Sequence, residues 1–562
     1  MGISSKVEKL RKKGVFKVLL SRLKKRRDNR KNLTPIRKYH LVSAEQLQAQ
    51  SDAFFQIQPK ISIITPLYNT DLKFLEELLL SVKQQTYENW ELCLGDGSDL
   101  DHSGVEALVH RYAIDDSRIV YNRLEKNEGI VGNTNACIKF ATGEYLGLLD
   151  HDDVLHPSAL YEVVKEIQNN ADFIYTDEMK FKKDYKKECD IVCKSGFGKY
   201  ELQSHNYICH FVVFKKTLID EWNQVYRYEC EGSQDYDMVL RLTEKAEKIV
   251  HIPKILYYWR VHAGSVAMDI SVKQYAVDAA KRAISTQLKR HNEIGNVECN
   301  YPYQTIYKVA YMIQNSPKVS IVMWGECEKY QERLNEILSN TGYLNIEIVT
   351  NQKIVSNEVA IRELEYINDE KRYEWFNRTV TVCDGTYMVF LNWNIVPKNR
   401  DWIKEMLMYA QKEDVCAVGA HILYRDNRTF YAGACLDRDS DNNIYVLNYD
   451  KAEGPGYEAN QMHVRNTTII SSMCMMISKK EFEQQEEFSV HHEDLGDADF
   501  CMHGIEKHKW NVWTCFAKVY YNGNKQIKDY WKKNDVFSNE WKNQIEQGDP
   551  YLHPLLKQLN LI

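Results

Sequence analysis

NEGIVGNTNACIKFATGEYLGLLDHDDVLHPSAL, residues 127–160, decides how this chain folds. A helical stretch leads into Tyr145–Leu149, a short and continuously apolar run, which stops on Asp150-His151-Asp152-Asp153. A second amphipathic run, PSALYEVVKEIQ, follows at once. An apolar strand crossed over on both sides by helices implies a parallel sheet with both faces covered. Carboxylates at the edge of such a strand are costly unless a charged partner meets them.

The same rhythm extends in both directions. Strands are expected at ISIITPLY (61–68), WELCLGDG (90–97), RIVYNRL (118–124), YLGLLDHD (145–152) and DFIYTDEM (172–179), with helices in the gaps. After the charged helix SVKQYAVDAAKRAISTQLKR the pattern restarts. VSIVMW (319–324) echoes ISIITP, LNIEIVTNQ (344–352) echoes NWELCLGDG, and TYMVFLNWN (386–394) echoes EYLGLLDHD. HEDLGDADFCMHGIEK echoes EGSQDYDMVLRLTEK, so the chain is an internal duplication with a period of about 250 residues. The expected divisions are a leader (1–50), a first α/β domain (60–266), a helical linker (267–316), a second α/β domain (317–525) and a C-terminal tail (526–562).

At 562 residues, 44% hydrophobic and 27% charged, the chain is folded material of two or three domains rather than a disordered one. Its 14 cysteines stand singly, without the paired CxxC sets of a zinc site, which suits buried free thiols in a reducing compartment. No run approaches the roughly 18 apolar residues of a membrane span, and no secretory h-region is present. The reading is therefore cytoplasmic. The net charge of -6 hides an asymmetry: residues 1–38 hold 15 Lys/Arg against Glu8 and Asp28. Val7, Leu10, Val15, Phe16, Leu19, Leu20 and Leu23 fall near helical spacing there. Such a basic amphipathic helix suits the anionic inner face of a membrane; rivals are a helix packed on the body and a nucleic-acid tail, and the acidic body speaks against the last.

In parallel α/β sheets ligands gather at the carboxyl ends of strands. Here those ends carry Pro66, Asn69 and Thr70, then Asp96, then the Asp150–Asp153 run. Oxygen ligands of this kind suit Mg²⁺ or Mn²⁺, and such a cation neutralises a diphosphate leaving group.

Taken in order, ISIITPLYNT, WELCLGDGSD, the 127–160 stretch, GSQDYDMVLR and YYWRVHAGS resemble the family 2 glycosyltransferases with the GT-A fold, over residues 60–266. The resemblance implies an inverting sugar transfer from a nucleotide-diphosphate sugar to a hydroxyl of a glycan or polyprenyl-linked acceptor. It further implies that the group moved is a hexosyl or deoxyhexosyl sugar and that the setting is bacterial cell-surface polysaccharide synthesis. It implies that Pro66, Asn69, Asp96, Asn133 and Asp150 meet the donor. Asp152 and His262 then hold Mn²⁺ or Mg²⁺, Asp235 is the general base, and His210 and Gln234 lie on the acceptor side. Each residue has a plainer alternative: Asp96 a turn residue, His262 a satisfied core histidine, Asp235 an N-cap beside Ser233. The family's usual Glu-Asp is Gln234-Asp235 here.

The second half departs from the pattern. Trp324-Gly325-Glu326 replaces the proline–asparagine turn, Asn351 or Gln352 replaces Asp96, and Asn392-Trp393-Asn394 replaces the DXD triplet. Amides carry no charge to hold a divalent cation, so this half is expected to bind acceptor, form a homo-oligomer or control product length; a second activity is the alternative. A non-enzymatic scaffold and a nucleotidyltransferase are the rivals for the whole chain. The intact acids of the first half speak against the former. The latter wants a glycine-rich basic loop after the first strand, and TPLYNTDLKF has none.

Overall fold

The computed structural model describes residues 34–187, 190–262, 274–448, 455–485 and 487–562. The basic leader lies almost wholly in residues 1–33, outside the described residues. Helices follow at residues 34–40 and at Ala44–Ser51, the latter closed by a capping box of Ser43 and Gln46. Among the described residues no helix is long and apolar enough to cross a membrane.

The chain forms two compact units, residues 1–194 with 208–274, and residues 195–207 with 275–562. The first holds strands β1 (Ile61–Leu67), β2 (Trp90–Asp96), β3 (Ile119–Arg123), β4 (Tyr145–Leu148), β5 (Val154–Leu155), β6 (Phe173–Phe181), β7 (Asp190–Val192), β8 (Val212–Lys215) and β9 (Ile249–Arg260). They make one sheet in the order β3-β2-β1-β4-β8-β6-β9-β5, with β7 on β6. The β3-β2-β1-β4 side is parallel, as its unbroken apolar strands require, and β8 enters antiparallel to β4 and β6. Helix Leu72–Lys83 starts on Asp71, whose side chain caps the amides of Lys73 and Phe74. It buries Leu75, Leu78, Leu79 and Val82, an i, i+3, i+4, i+7 stripe, against the sheet.

The second unit repeats this plan. Its strands are β10 (Gly295–Asn300), β11 (Tyr303–Tyr311), β12 (Val319–Trp324), β13 (Ile346–Thr350), β14 (Ala360–Glu363), β15 (Tyr387–Asn392) and β16 (Ile395–Pro397), then β17 (Val415–Leu423), β18 (Thr429–Tyr431), β19 (Ala434–Leu436), β20 (Ile444–Val446), β21 (Arg465–Asn466), β22 (Cys474–Ser478) and β23 (Trp510–Tyr521). The main sheet runs β14-β13-β12-β15-β22-β17-β23-β16, the first unit's order strand for strand.

One buried network recurs in both units. In the first, Ser62 donates to Glu91 (2.5 Å), and the Gly143 amide donates to Ser62 Oγ (2.8 Å). In the second, Ser320 donates to Glu347 and the Gly385 amide to Ser320 Oγ (2.9 Å). Burial alone would raise the Glu91 carboxyl, but Lys60, Ser62 and Thr142 bring it down to about 2. A Cβ on Gly143 would sit 2.6 Å from the Lys60 carbonyl, and one on Gly385 would sit 2.6 Å from the Ser320 amide nitrogen. The two glycines are thus fixed by the same close approach, which is how an internal duplication shows itself once sequence has drifted.

Two expectations change. Of the 267–316 linker, the described part is a 17-residue helix, Gln274–Arg290, and the β10–β11 hairpin, which from Tyr275 onward belong to the second unit. The C-terminal tail is also folded into that unit, because Trp531, Trp541, Ile545, Leu555 and Leu556 are apolar enough to be buried there.

Gly143→Ala and Gly385→Ala are each expected to destabilise their own unit by about 1–3 kcal/mol through overpacking. Hydrogen exchange of the β1 and β12 amides reads the two effects separately; equal loss of protection in both strands from either variant would contradict the assignment.

Candidate active site

β4 ends at Leu148, and the Leu149 amide makes one last bond to the Ile64 carbonyl (3.1 Å) before the chain turns through Asp150–Asp153 into β5. This turn is clamped to β9. Asp153 is 1% exposed, and its oxygens accept the Tyr257 hydroxyl (2.5 Å) and the Arg260 amide (2.6 Å). Arg260 also donates to the Asp152 carbonyl (2.6 Å) and pairs with Glu77 (2.6 Å). Burial pushes the Asp153 carboxyl well up. The acid run therefore divides: Asp153 belongs to the scaffold, while Asp150 and Asp152 turn toward solvent.

Asp152 Oδ2 lies 2.8 Å from His262 Nε2, so the sequence-predicted metal pair is together. His151 bonds Thr70 through Nδ1 (2.7 Å). Asp150 opens to the cleft yet is ringed by protein; lost hydration raises its carboxyl, Asp152 and Asp235 raise it further, and His210 and His151 oppose them. Asp235 is thus within electrostatic reach of Asp150. It stands in the first turn of helix Gln234–Lys245, after Ser233, which makes no side-chain cap. Asp237, two residues on, is fully buried and committed to Arg227 and Arg241 (2.9 Å). Gln234 accepts the Gly232 amide (2.8 Å), which fixes the approach to that helix.

His210 has a left-handed backbone (φ +57°), stacks on Tyr257 and meets Trp259 at a tilt. Its Nδ1 meets Glu178 Oε2 at 2.9 Å, and the other occupant of that carboxylate is Lys194 (3.0 Å). Burial alone would lower the His210 pKa, but Glu178, Asp150 and Asp153 raise it to about 9. Glu178, penalised by burial, is brought down to about 2 by His210 and Lys194. Asp150, Asp153 and His210 also offer ligand atoms within 4.8 Å of one another.

The donor-side residues sort differently. Asn69 (φ +48°) and Asp99 bond reciprocally, Asn69 Nδ2 to Asp99 Oδ2 (2.8 Å) and the Asp99 amide to Asn69 Oδ1 (3.0 Å). Pro66 is buried within β1 opposite Gly95. Asp96 is 0% exposed and fully engaged, accepting from the Ser98 amide (2.8 Å), Tyr121 (2.8 Å) and Arg123 (3.0 Å). Asn133 is likewise turned inward, bonded to the Glu128 amide and to Asn127. Asp96 and Asn133 therefore shape the rim through their neighbours, because their own polar atoms are spent on the fold.

Residues 62–222 match the sequence profile of "Glycosyl transferase family 2". The chain carries a family 2 glycosyltransferase domain. It is 30% identical over 531 residues to an uncharacterised protein, y4gI, of Sinorhizobium fredii, covering 89% of this chain and 58% of that one. It is 25% identical to the O-antigen biosynthesis protein RfbC of Myxococcus xanthus, covering 89% and 40%. The chain thus spans about half the length of these relatives. Over 217 residues it is 28% identical to an Escherichia coli enzyme, the UDP-Glc:alpha-D-GlcNAc-diphosphoundecaprenol beta-1,3-glucosyltransferase WfaP, covering 37% and 80%.

In the family 2 domain, sequence reasoning missed Glu178, Lys194, Asp99 and the scaffold role of Asp153. Glu178 carried a signal, since a carboxylate inside the buried strand DFIYTDEM needs a cation; Lys194, alone in its stretch, carried none.

The Glu178–His210 pair has a testable pH signature. His210, raised in the fold, stabilises it fully below pH ~6.5, and this is lost as pH rises through about 9. Glu178→Gln should remove that alkaline loss, on the order of 2 kcal/mol, and return the His210 pKa toward or below 6.5. NMR titration of the His210 ring measures this; an unchanged titration would contradict the pairing.

Proposed function

We propose that the first unit transfers a sugar, with inversion, from a nucleotide-diphosphate sugar to a hydroxyl of a glycan or polyprenyl-linked acceptor in cell-surface polysaccharide synthesis. The observation that carries this is the convergence of Asp150, Asp152 and Asp235, with His262 on Asp152, beyond the carboxyl end of β4 in a family 2 domain.

Asp235 is the general base. It sits in the first turn of its helix, whereas Asp237 is neutralised by two arginines. Proton removal from the acceptor hydroxyl on the face opposite the departing diphosphate gives inversion in a single displacement. The mutual repulsion of Asp150, Asp152 and Asp235 fits a divalent cation, Mn²⁺ or Mg²⁺, held by Asp152 and His262. Such a cation, when bound, offsets the negative charge of the leaving diphosphate. The Asn69–Asp99 rim and Pro66 flank the donor end, and Asp96 and Asn133 hold that rim in shape. His210, kept cationic by Glu178, faces the acceptor side together with Gln234. The basic leader places this enzyme on the cytoplasmic face of an anionic membrane, near a lipid-linked acceptor.

The second unit is non-catalytic in this reading. Asn392 and Trp393 are buried, and Asn394 donates to the Glu326 carbonyl and to Asn392. Asp497, placed on its helix as Asp235 is on its own, is 1% exposed and accepts Trp531 Nε1 (2.8 Å) and the Ser472 amide (2.7 Å). Neither the Asn392–Asn394 turn nor Asp497 then offers a carboxylate to a substrate.

Asp235→Asn should cut transfer by about 10²–10⁴-fold with donor binding near normal. Asp152→Asn should lose turnover together with its response to Mn²⁺. Release of nucleoside diphosphate from a panel of nucleotide-sugars, with and without chelator, measures both. Full activity of Asp235→Asn, or of the wild type in chelator, would defeat the corresponding role.

A further inference from the structure

The two units treat one carboxylate differently. Asp237 of the first, fourth residue of its helix, is neutralised by Arg227 and by Arg241 one turn on. Asp499 of the second, fourth residue of helix Gly496–Glu506, is 2% exposed and has no arginine; His503 stands one turn on and His492 beside it. A buried carboxylate needs a cation, and neutral imidazoles do not supply one.

His492, Asp499 and Glu540 each offer an atom within 4.8 Å of the others, and His503 borders the same Asp499 oxygen. Asp499 Oδ1 accepts Trp541 Nε1 (2.9 Å), which leaves Oδ2 directed at the histidines. Oδ2 is 3.3 Å from His492 Nδ1 and 3.6 Å from His503 Nε2. The ligand–ligand edges of a tetrahedral site with bonds of about 2.1 Å are about 3.4 Å. Each histidine also has a carboxylate at its far nitrogen: Glu540 Oε2 lies 2.9 Å from His492 Nε2, and Glu506 Oε2 lies 3.6 Å from His503 Nδ1. Glu540 accepts the Nε2 proton of His492, so in the neutral ring the Nδ1 lone pair is turned toward Oδ2. His492 is 3% exposed, and its Nδ1 is buried with no hydrogen-bond partner. Glu540 Oε1 lies 3.9 Å from His503 Nε2, so the carboxylate behind His492 also borders the second histidine.

A proton is the competing occupant. Burial lowers the His492 pKa, and Asp499 and Glu540 raise it above its ordinary value. An imidazolium at His492 would pair Nδ1 with Asp499 and Nε2 with Glu540; it does not explain why His503 also stands 3.6 Å from the same Asp499 oxygen.

We infer that His492, His503 and Asp499, with Glu540, form a binding site for a divalent transition-metal ion of the zinc type. Two imidazoles with carboxylates suit such an ion better than Mg²⁺. It would join the loop at His492, the helix of Asp499 and His503, and the C-terminal helix Asp535–Glu540, a structural staple unrelated to the transfer chemistry.

The test uses untagged full-length protein carrying Asp152→Asn and His262→Ala, so that the first unit's donors do not contribute. After loading with Zn²⁺ and gel filtration, elemental analysis should find one zinc per chain. Co²⁺ should give the visible absorption of a low-coordinate imidazole site. His492→Ala and His503→Ala should abolish both. Glu506→Gln, a half-exposed position that leaves folding intact, should weaken zinc affinity by about 10–100-fold. Zinc content near zero in the parent protein, or unchanged in the histidine variants, would overturn the site and leave His492 as an imidazolium.

Discussion

Asp153 lies buried between β4 and β9, accepting the Tyr257 hydroxyl and the Arg260 amide at 2.5 and 2.6 Å. Hydrogen bonds of this kind are worth about 0.5–1.5 kcal/mol each, and their removal would leave buried polar oxygens unmet. Through Arg260 the clamp reaches the Asp152 carbonyl and Glu77, and through Tyr257 it reaches the face on which His210 stacks. The two solvent-facing acids and the His210 ring are therefore tied to one internal carboxylate. Four acidic or basic residues in a row do not make a site by composition; they make one because a single member is drawn inward and aims the others outward.

The second unit keeps the sheet order and the Ser–Glu–Gly network but spends its acids differently. Asp497 and Asp499 are turned inward and capped by the indoles of Trp531 and Trp541. The C-terminal segment has thus become part of the core over the place where the first unit opens its cleft. A retained fold does not by itself carry the function of its counterpart.

Much of this was legible in residues 61–179 alone. Short apolar strands fixed the parallel half of the sheet, and the acid run at the end of β4 marked the cleft. The pairing of Asp152 with His262 followed from the family resemblance. What sequence could not show were interactions between residues distant in the chain and lacking any pattern. Lys194 reaches Glu178 across 16 positions, and Asp96 is satisfied by Tyr121 and Arg123 on the neighbouring strand. The segment 195–207 belongs to the second unit although it precedes the end of the first, an exchange that no local periodicity signals. The tail was misjudged because helices of five or six residues, such as Pro554–Gln558, are too short to declare a period.

The central claim is a single active centre per chain, in the first unit. Isothermal titration of nucleoside diphosphate with Mn²⁺ into the full-length protein tests it directly. The account predicts one nucleotide site per chain, abolished by Asp152→Asn; two comparable sites, or one that survives that substitution, would contradict it.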